Sequence, residues 1–270
     1  MKIFDTHAHY FDARFEREAE GGADAVLRTV FSEGVEYILN VGTDPDTSQA
    51  AVRQASRYEG MYAAVGIHPG DCHYLGDPDV EMDRLRALLG DADLRKQNKI
   101  LAIGEIGLDY YHQSYGDVPM DKSRQRYFFE AQLCLAEELF LPVIIHDREA
   151  HGDCFDTVLR HPNVRGVFHS YSGSAEMARE LTRRGWYISF SGTLTFKNAR
   201  SVRAAAEVVP RDRLLVETDC PYLAPHPMRG QMNHSGYLKY TLQALAEIWN
   251  CTLEEAAKQT LQSGKALFFA

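Results

Sequence analysis

The sequence predicts an α/β fold, a TIM-type (β/α)8 barrel formed as a single domain over residues 1–270. Three observations lead there. Eight short apolar runs recur along the chain with helix-period segments between them. Most of these runs end in, or are closely followed by, a histidine or a carboxylate. The length of 270 residues, 45% of them hydrophobic, suits one barrel of roughly 250 residues.

The runs are Lys2–His7, Glu36–Val41, Met61–Gly66, Ile100–Glu105, Pro142–Asp147, Arg165–Ser170, Trp186–Ser191 and Leu214–Thr218. They are short and mostly apolar, as strands buried on both faces of a parallel sheet should be. Helix signals fall between them. Asp44-Pro45 reads as an N-cap followed by proline at the first helical position. Phe128, Ala131, Leu135 and Leu139 form a three/four-spaced stripe. Ser174 reads as the cap of a segment ending near Arg184, and Thr252 with Glu255 has capping-box spacing for a last helix ending near Phe269. Eight strands is the number that closes a barrel. An open doubly wound sheet is the alternative, but no GxGxxG follows the first strand. No Pro/Gly/Ser-rich linker divides the chain, and no repeat exceeds the βα alternation.

Bulk properties exclude several classes. No apolar stretch approaches the roughly 18 residues of a membrane span, and no signal-peptide core is visible. The five cysteines are scattered and form no CxxC pair, so they read as reduced thiols of a cytoplasmic protein. Cys220 reads as a small buried hydrophobe. A net charge of −9 does not suit a protein that coats nucleic acid. It does not exclude a site that carries its own cations.

The chemistry sits at the strand ends. His7 and His9 close the first strand, His68 follows the third, and Glu105 closes the fourth. His146 closes the fifth, His169 the sixth, and Asp219 follows the eighth. In a parallel barrel all strands end at one rim, where active sites are built. Residues two apart on a strand point to the same side, so His7 and His9 can grip one metal. An HxH pair alone is equally compatible with two unrelated histidines; its meaning comes from the donors on other strands. Glu105 ends an apolar strand and should be paired or metal-bound, because burying it alone is costly. Midway along the rim, it could bridge two metals. Asp109 and Tyr110 read as shaping groups, and His73, His112 and His161 as surface residues. His151 reads as a helix-start or surface residue. Asp219 combines ligation with acceptance of a proton from water. Glu217, two residues earlier, reads as an anchor for a ligand. Arg229 could reach a phosphate. Four neutral histidines and two carboxylates with two divalent cations leave the site net positive, which suits an anionic substrate. The cations are expected among Zn, Mn, Mg, Fe and Ni.

The segments FDTHAHY, VGIHPGD, IGEIGLDYY, VIIHDREA, FHSYSGS, VETDCPYLAP and MRGQMN run in order from Phe4 to Asn233. The chain resembles the TatD family of metal-dependent hydrolases. The resemblance implies a TIM-type barrel, divalent metals and DNase activity, often 3′→5′ exonucleolytic. It implies His7, His9, Glu105, His146, His169 and Asp219 as ligands. Asp219 and Glu105 are expected to be catalytic, and His68 and Arg229 to bind substrate. The expected substrate is DNA, single-stranded or with a frayed 3′ end, with no membrane and no obligate protein partner. The alternative is an amidohydrolase, lactonase or phosphotriesterase acting on a small molecule. Two departures from the family pattern stand near the rim: His234-Ser235 follows Asn233 where Glu-Pro is usual, and HSYSGS replaces an HCFSGS-like segment.

Overall fold

The structure is a computed structural model that describes residues 1–270. Its strands are β1 (Ile3–Ala8), β2 (Val35–Val41), β3 (Met61–Val65), β4 (Ile100–Asp109), β5 (Val143–Arg148), β6 (Gly166–Phe168), β7 (Tyr187–Phe190) and β8 (Leu214–Val216). They belong to one eight-stranded sheet in chain order. All eight fall on the runs expected from sequence, and the fold is the (β/α)8 barrel. The helices are α1 (Ala13–Glu18), α2 (Gly22–Ser32), α3 (Pro45–Ala55), α4 (Pro78–Leu89), α5 (Ala92–Gln97) and α6 (Lys122–Leu139). They continue with α7 (His151–Leu159), α8 (Ala175–Arg183), α9 (Arg200–Val208), α10 (Leu238–Trp249) and α11 (Leu253–Phe268). No helix is long and apolar enough to cross a membrane.

The cap signals translate directly. Asp44 accepts from the Thr47 N–H in a capping box with Pro45 in the first turn of α3. Ser174 accepts from Met177 at the start of α8, and Thr252 with Glu255 closes a capping box on α11. The stripe on α6 is only partly right. Phe128 and Leu135 are buried, but the buried face also takes in Gln125, Phe129, Gln132 and Leu133. A two-residue hairpin, Ser114–Tyr115 with Val118–Pro119, lies in the β4–α6 connection and has no forerunner in the sequence reading.

By contacts the chain divides into two compact units. The first comprises Met1–Asn40, Tyr58–Met61 and His169–Ala270. Here β1 pairs with β2, and β7 with β8, in parallel register. The chain after β8 also pairs with β1, through an Ala8–Cys220 bridge. The His9 N–H donates to the Cys220 carbonyl (2.8 Å), and the Asp219 N–H donates to the His7 carbonyl (2.9 Å). Beneath them lies the fully buried Asp5 carboxylate. It accepts from the Thr218 N–H (2.9 Å), the Thr218 hydroxyl (2.6 Å) and the Ser235 hydroxyl (2.7 Å). Burial raises the Asp5 carboxyl to about 6, against the pull of those hydrogen bonds. Ser235 therefore sits under the seam, and the His234-Ser235 departure is partly structural. The His234 ring caps the short turn at Ser235–Tyr237 by accepting from the Gly236 N–H.

The second unit comprises Val41–Arg57 and Tyr62–Phe168. Here α6 covers β4, and two of its glutamines, both fully buried, clasp backbone. Gln132 accepts from the Ile67 N–H (2.7 Å) and donates to the Ile67 carbonyl (3.0 Å). Gln125 does the same for Asp109, at 2.9 Å in both directions. Each amide thus satisfies a backbone pair at a strand end, which an apolar side chain could not do.

Two histidines expected at the surface are in fact buried. The His73 Nε2 accepts from the Asp121 N–H (2.8 Å), and its ring stacks on Tyr115. His161 pairs with Glu130 at 2.7 Å. In both, a polar partner compensates burial, which composition does not reveal. His112 is exposed as expected.

Removing the Ser235 hydroxyl strips one donor from a buried carboxylate and a partner from the Tyr10 hydroxyl, 2.8 Å away. Ser235→Ala should therefore lower unfolding free energy by about 1–3 kcal/mol, measured by urea denaturation. An unchanged midpoint would show that Asp5 does not depend on Ser235.

Candidate metal centre

Two ligand sets form, one in each unit. In the first, β1 delivers His7, and His9 follows directly on the last residue of the strand, two positions along. Their Nε2 atoms stand 3.1 Å apart. Asp219 Oδ1 is 3.2 Å from His9 Nε2 and 3.7 Å from His7 Nε2. Asp219 adopts a left-handed backbone conformation (φ 57°), which aspartate tolerates better than most residues. Burial would raise its carboxyl, but the His9 contact and the neighbouring His7 and His169 outweigh this and hold it below the usual range.

His169 completes the first set. Its ring stacks on His7 at 4.1 Å between centroids. Its Nδ1 meets Glu217 Oε1 at 3.1 Å, and the same oxygen accepts the Ser170 N–H at 2.7 Å. A carboxylate on Nδ1 fixes the proton there and leaves the Nε2 lone pair for a cation. Glu217 thus anchors His169, as expected from its position. Single donor atoms of His7, His169 and Asp219 all lie within 4.8 Å of one another.

In the second unit, Glu105 (3% exposed) lies inside β4, which runs on past the expected end to Asp109. His146 Nδ1 contacts its Oε1 at 2.6 Å, and His146 Nε2 lies 3.4 Å from Asp109 Oδ2. The β4–β5 register sets Gly107 opposite His146. A Cβ at Gly107 would lie 2.0 Å from the His146 carbonyl oxygen, and its φ is 140°, so only glycine lets the strands approach here. His68 differs from the other histidines. Its Nδ1 accepts the Gly70 N–H (3.0 Å), which leaves the proton on Nε2, 3.7 Å from Glu105 Oε1. In this tautomer His68 is a hydrogen-bond donor, and a ring nitrogen of His68 lies with single donor atoms of Glu105 and His146 within 4.8 Å of one another.

The donor chemistry fits metal ions. Two imidazole nitrogens and a carboxylate oxygen converge at spacings that suit ligands about 2.1 Å from a shared cation. A neutral imidazole has one proton to give, yet His146 faces a carboxylate at both nitrogens. One of those contacts calls for a positive charge, a proton or a metal ion. Asp109, expected to shape the site, lies within reach of His146. Its carboxyl, which burial would raise, is held low by His146 and the Tyr111 N–H. Arg229 stands on an exposed loop with its guanidinium carbon 4.0 Å from the centroid of the Phe196 ring. Cys220 is fully buried with its thiol pushed well up, as a small apolar residue would be.

Sequence reading passed over three groups. Asp5 sits two residues before His7 in the DTHAH segment, a pattern that could have flagged it. Gln125 and Gln132 lie on a helix face that looked merely amphipathic. Asp147 was read only as a strand end. It holds the His151 imidazole at 2.8 Å, and this contact raises the His151 pKa.

The family model for TatD-related DNases matches residues 4–269. The chain belongs to this family. A metal-dependent hydrolase of Bacillus subtilis, YabD, is 38% identical over 98% of both chains. A metal-dependent hydrolase named TatD from Mycobacterium tuberculosis is 35% identical over 98% of this chain and 97% of its own. Among solved structures, the TatD homologue YjjV of Escherichia coli superposes with a TM-score of 0.87 at 29% identity, covering 99% of this chain and 98% of that one. This TatD-family chain is a metal-dependent hydrolase with candidate histidine and carboxylate ligands in both units.

A His7→Ala/His9→Ala variant should lose divalent metal from the first set and keep its fold. Elemental analysis together with circular dichroism reads both. Full metal loading in that variant would remove the HxH pair from the ligand list.

Proposed function

We propose that the protein is a deoxyribonuclease that trims single-stranded DNA from its 3′ end, with two divalent ions held by His7, His9, Glu105, His146, His169 and Asp219. The observation that supports this reading is that, within each unit, histidine and carboxylate donors on or just after parallel strands gather within 4.8 Å of one another. The family model's description as a DNase adds the substrate class. Glu105, between the other donors in chain order, would be a carboxylate ligand and would help to set the charge of the bound ions.

When bound, the ions would supply Lewis acidity to the phosphate and acidify water. The chain's own groups do the rest. Asp219 remains a carboxylate at neutral pH, so its oxygen accepts the proton of the attacking water. Water oxygen bonds to phosphorus as the P–O3′ bond of the preceding nucleotide breaks, the departing O3′ takes a proton from solvent to become the new 3′ hydroxyl, and a 5′-phosphorylated nucleotide is released. The His68 Nε2–H donates a hydrogen bond to a phosphate oxygen. Glu217 keeps His169 in its ligating tautomer. Arg229 is the proposed second contact to the backbone phosphate, since it has no carboxylate partner and stands on an exposed loop.

The alternative is hydrolysis of a small ester. Organophosphorus hydrolases share the fold at 15% identity, with a TM-score of 0.67, and that likeness extends to the fold alone. Incubation of linear and circular single-stranded DNA, RNA and a simple phosphotriester across a metal panel separates the readings. The expected result is stepwise loss from the 3′ end of linear DNA, with circles intact. Cleavage confined to the small ester would leave the metal centre and remove the nuclease. Asp219→Asn should lower turnover at least one-hundredfold, and activity within a few-fold of wild type would exclude Asp219 as the proton acceptor.

A further inference from the structure

Beyond the ligands, the β4 and β5 ends carry an exposed aromatic and cationic group. Arg148 is the last residue of β5, two residues beyond His146, so it leaves the strand on the same side. That spacing places it roughly 7 Å further out along the strand, the distance of a neighbouring nucleotide and not of the bond cleaved. Its guanidinium carbon lies 3.8 Å from the centroid of the Tyr111 ring. Tyr111 is 55% exposed although aromatic. His112 packs edge-on against it, at 5.0 Å and 89°, and lies 3.5 Å from Arg148 Nη1.

The pair is tied to the metal centre by one side chain. Asp109 Oδ1 accepts the Tyr111 N–H at 2.9 Å, while its Oδ2 faces His146 at 3.4 Å. The register sets Asp109 opposite Arg148. Gln125 clasps the Asp109 backbone from below. Tyr111 is thus placed by rigid parts, with its ring left exposed. No carboxylate pairs with Arg148, whereas its neighbour Arg126 is bound by Asp153. Lys122, 3.9 Å over the Tyr110 ring, also lacks a carboxylate partner. An exposed ring beside an uncommitted cation offers stacking and charge together, the two contacts single-stranded nucleic acid takes.

We propose that Tyr111 and Arg148 form a nucleotide subsite next to the reaction centre, with a base stacked on the free face of Tyr111 and the adjoining phosphate on Arg148. This rests on the nuclease reading and names the part of the strand that the chain grips. Because Arg148 covers one face of the ring, one base is accommodated there, and the contact is indifferent to base identity.

The test is fluorescence anisotropy of a labelled oligothymidylate with Asp219→Asn protein, in which turnover is expected to be at least one-hundredfold lower. Adding Tyr111→Ala should weaken binding about tenfold, and Tyr111→Phe should not. An oligonucleotide with one abasic position, moved along the 3′ end, should lose affinity for the Tyr111 protein at one position only. The same series should show no such step with Tyr111→Ala. Arg148→Gln should make the dependence of log affinity on log salt shallower by about 0.7, as loss of one phosphate contact requires. Binding unaffected by either substitution would overturn the subsite while wild-type hydrolysis of DNA still upheld the nuclease. A chain that neither binds nor cuts DNA would overturn both.

Discussion

The site depends on the hydrogen-bonded seam between the first strand and the chain that follows the last. Where the Asp219 N–H meets the His7 carbonyl and the His9 N–H meets the Cys220 carbonyl, two segments more than 200 residues apart become neighbours. The same bonds that align the backbones set three side chains toward one point. The seam is held from below by Asp5, whose carboxylate takes hydrogen bonds from both Thr218 and Ser235. A buried carboxylate is a costly choice for a brace unless its oxygens are satisfied, and here they are. Misplacing this brace would move ligands and not only stability.

The histidines do not play interchangeable parts, and what distinguishes them is the partner at the second ring nitrogen. Glu217 on Nδ1 prepares His169 to bind a cation. The Gly70 N–H on Nδ1 makes His68 a donor. Paired with Glu105 and Asp109, His146 faces negative charge at both nitrogens. A ring's chemistry is set by the proton it must keep, and that is decided by whichever group reaches its far side. The same logic extends outward through Asp109, which faces His146 with one oxygen and positions Tyr111 with the other. Charge on the chain as a whole is negative. Net charge bears on solubility and encounter, not on what a pocket binds.

Much of the fold is legible in the sequence. The eight strands could be read because strands buried on both faces need continuous apolar runs, and the polar residue at each end breaks the run visibly. The helix caps were legible because Asp44, Ser174 and Thr252 act through backbone only three residues away. The candidate ligands could be named because fold class alone sends strand ends to one rim. Sequence could not distinguish His73 and His161 from surface residues, since their burial depends on Asp121 and Glu130, which are 48 and 31 residues away. Nor could it show that Gln125 and Gln132 clasp backbone, because a glutamine on a helix looks polar whichever way it faces.

The sequence by itself determined the fold class, the strand ends and the residue types available for metal binding, because these follow from periodicity and from local hydrogen-bonding chemistry. Tertiary structure alone decided the proton on each histidine, the role of Ser235 beneath the seam and the meeting of Tyr111 with Arg148. Apart from the Gly70 N–H that sets the His68 proton, each of those is a contact between residues far apart in the chain. Such a contact is set by register between strands and by the packing of helices over them. Neither leaves a mark on the amino acids next to it in sequence.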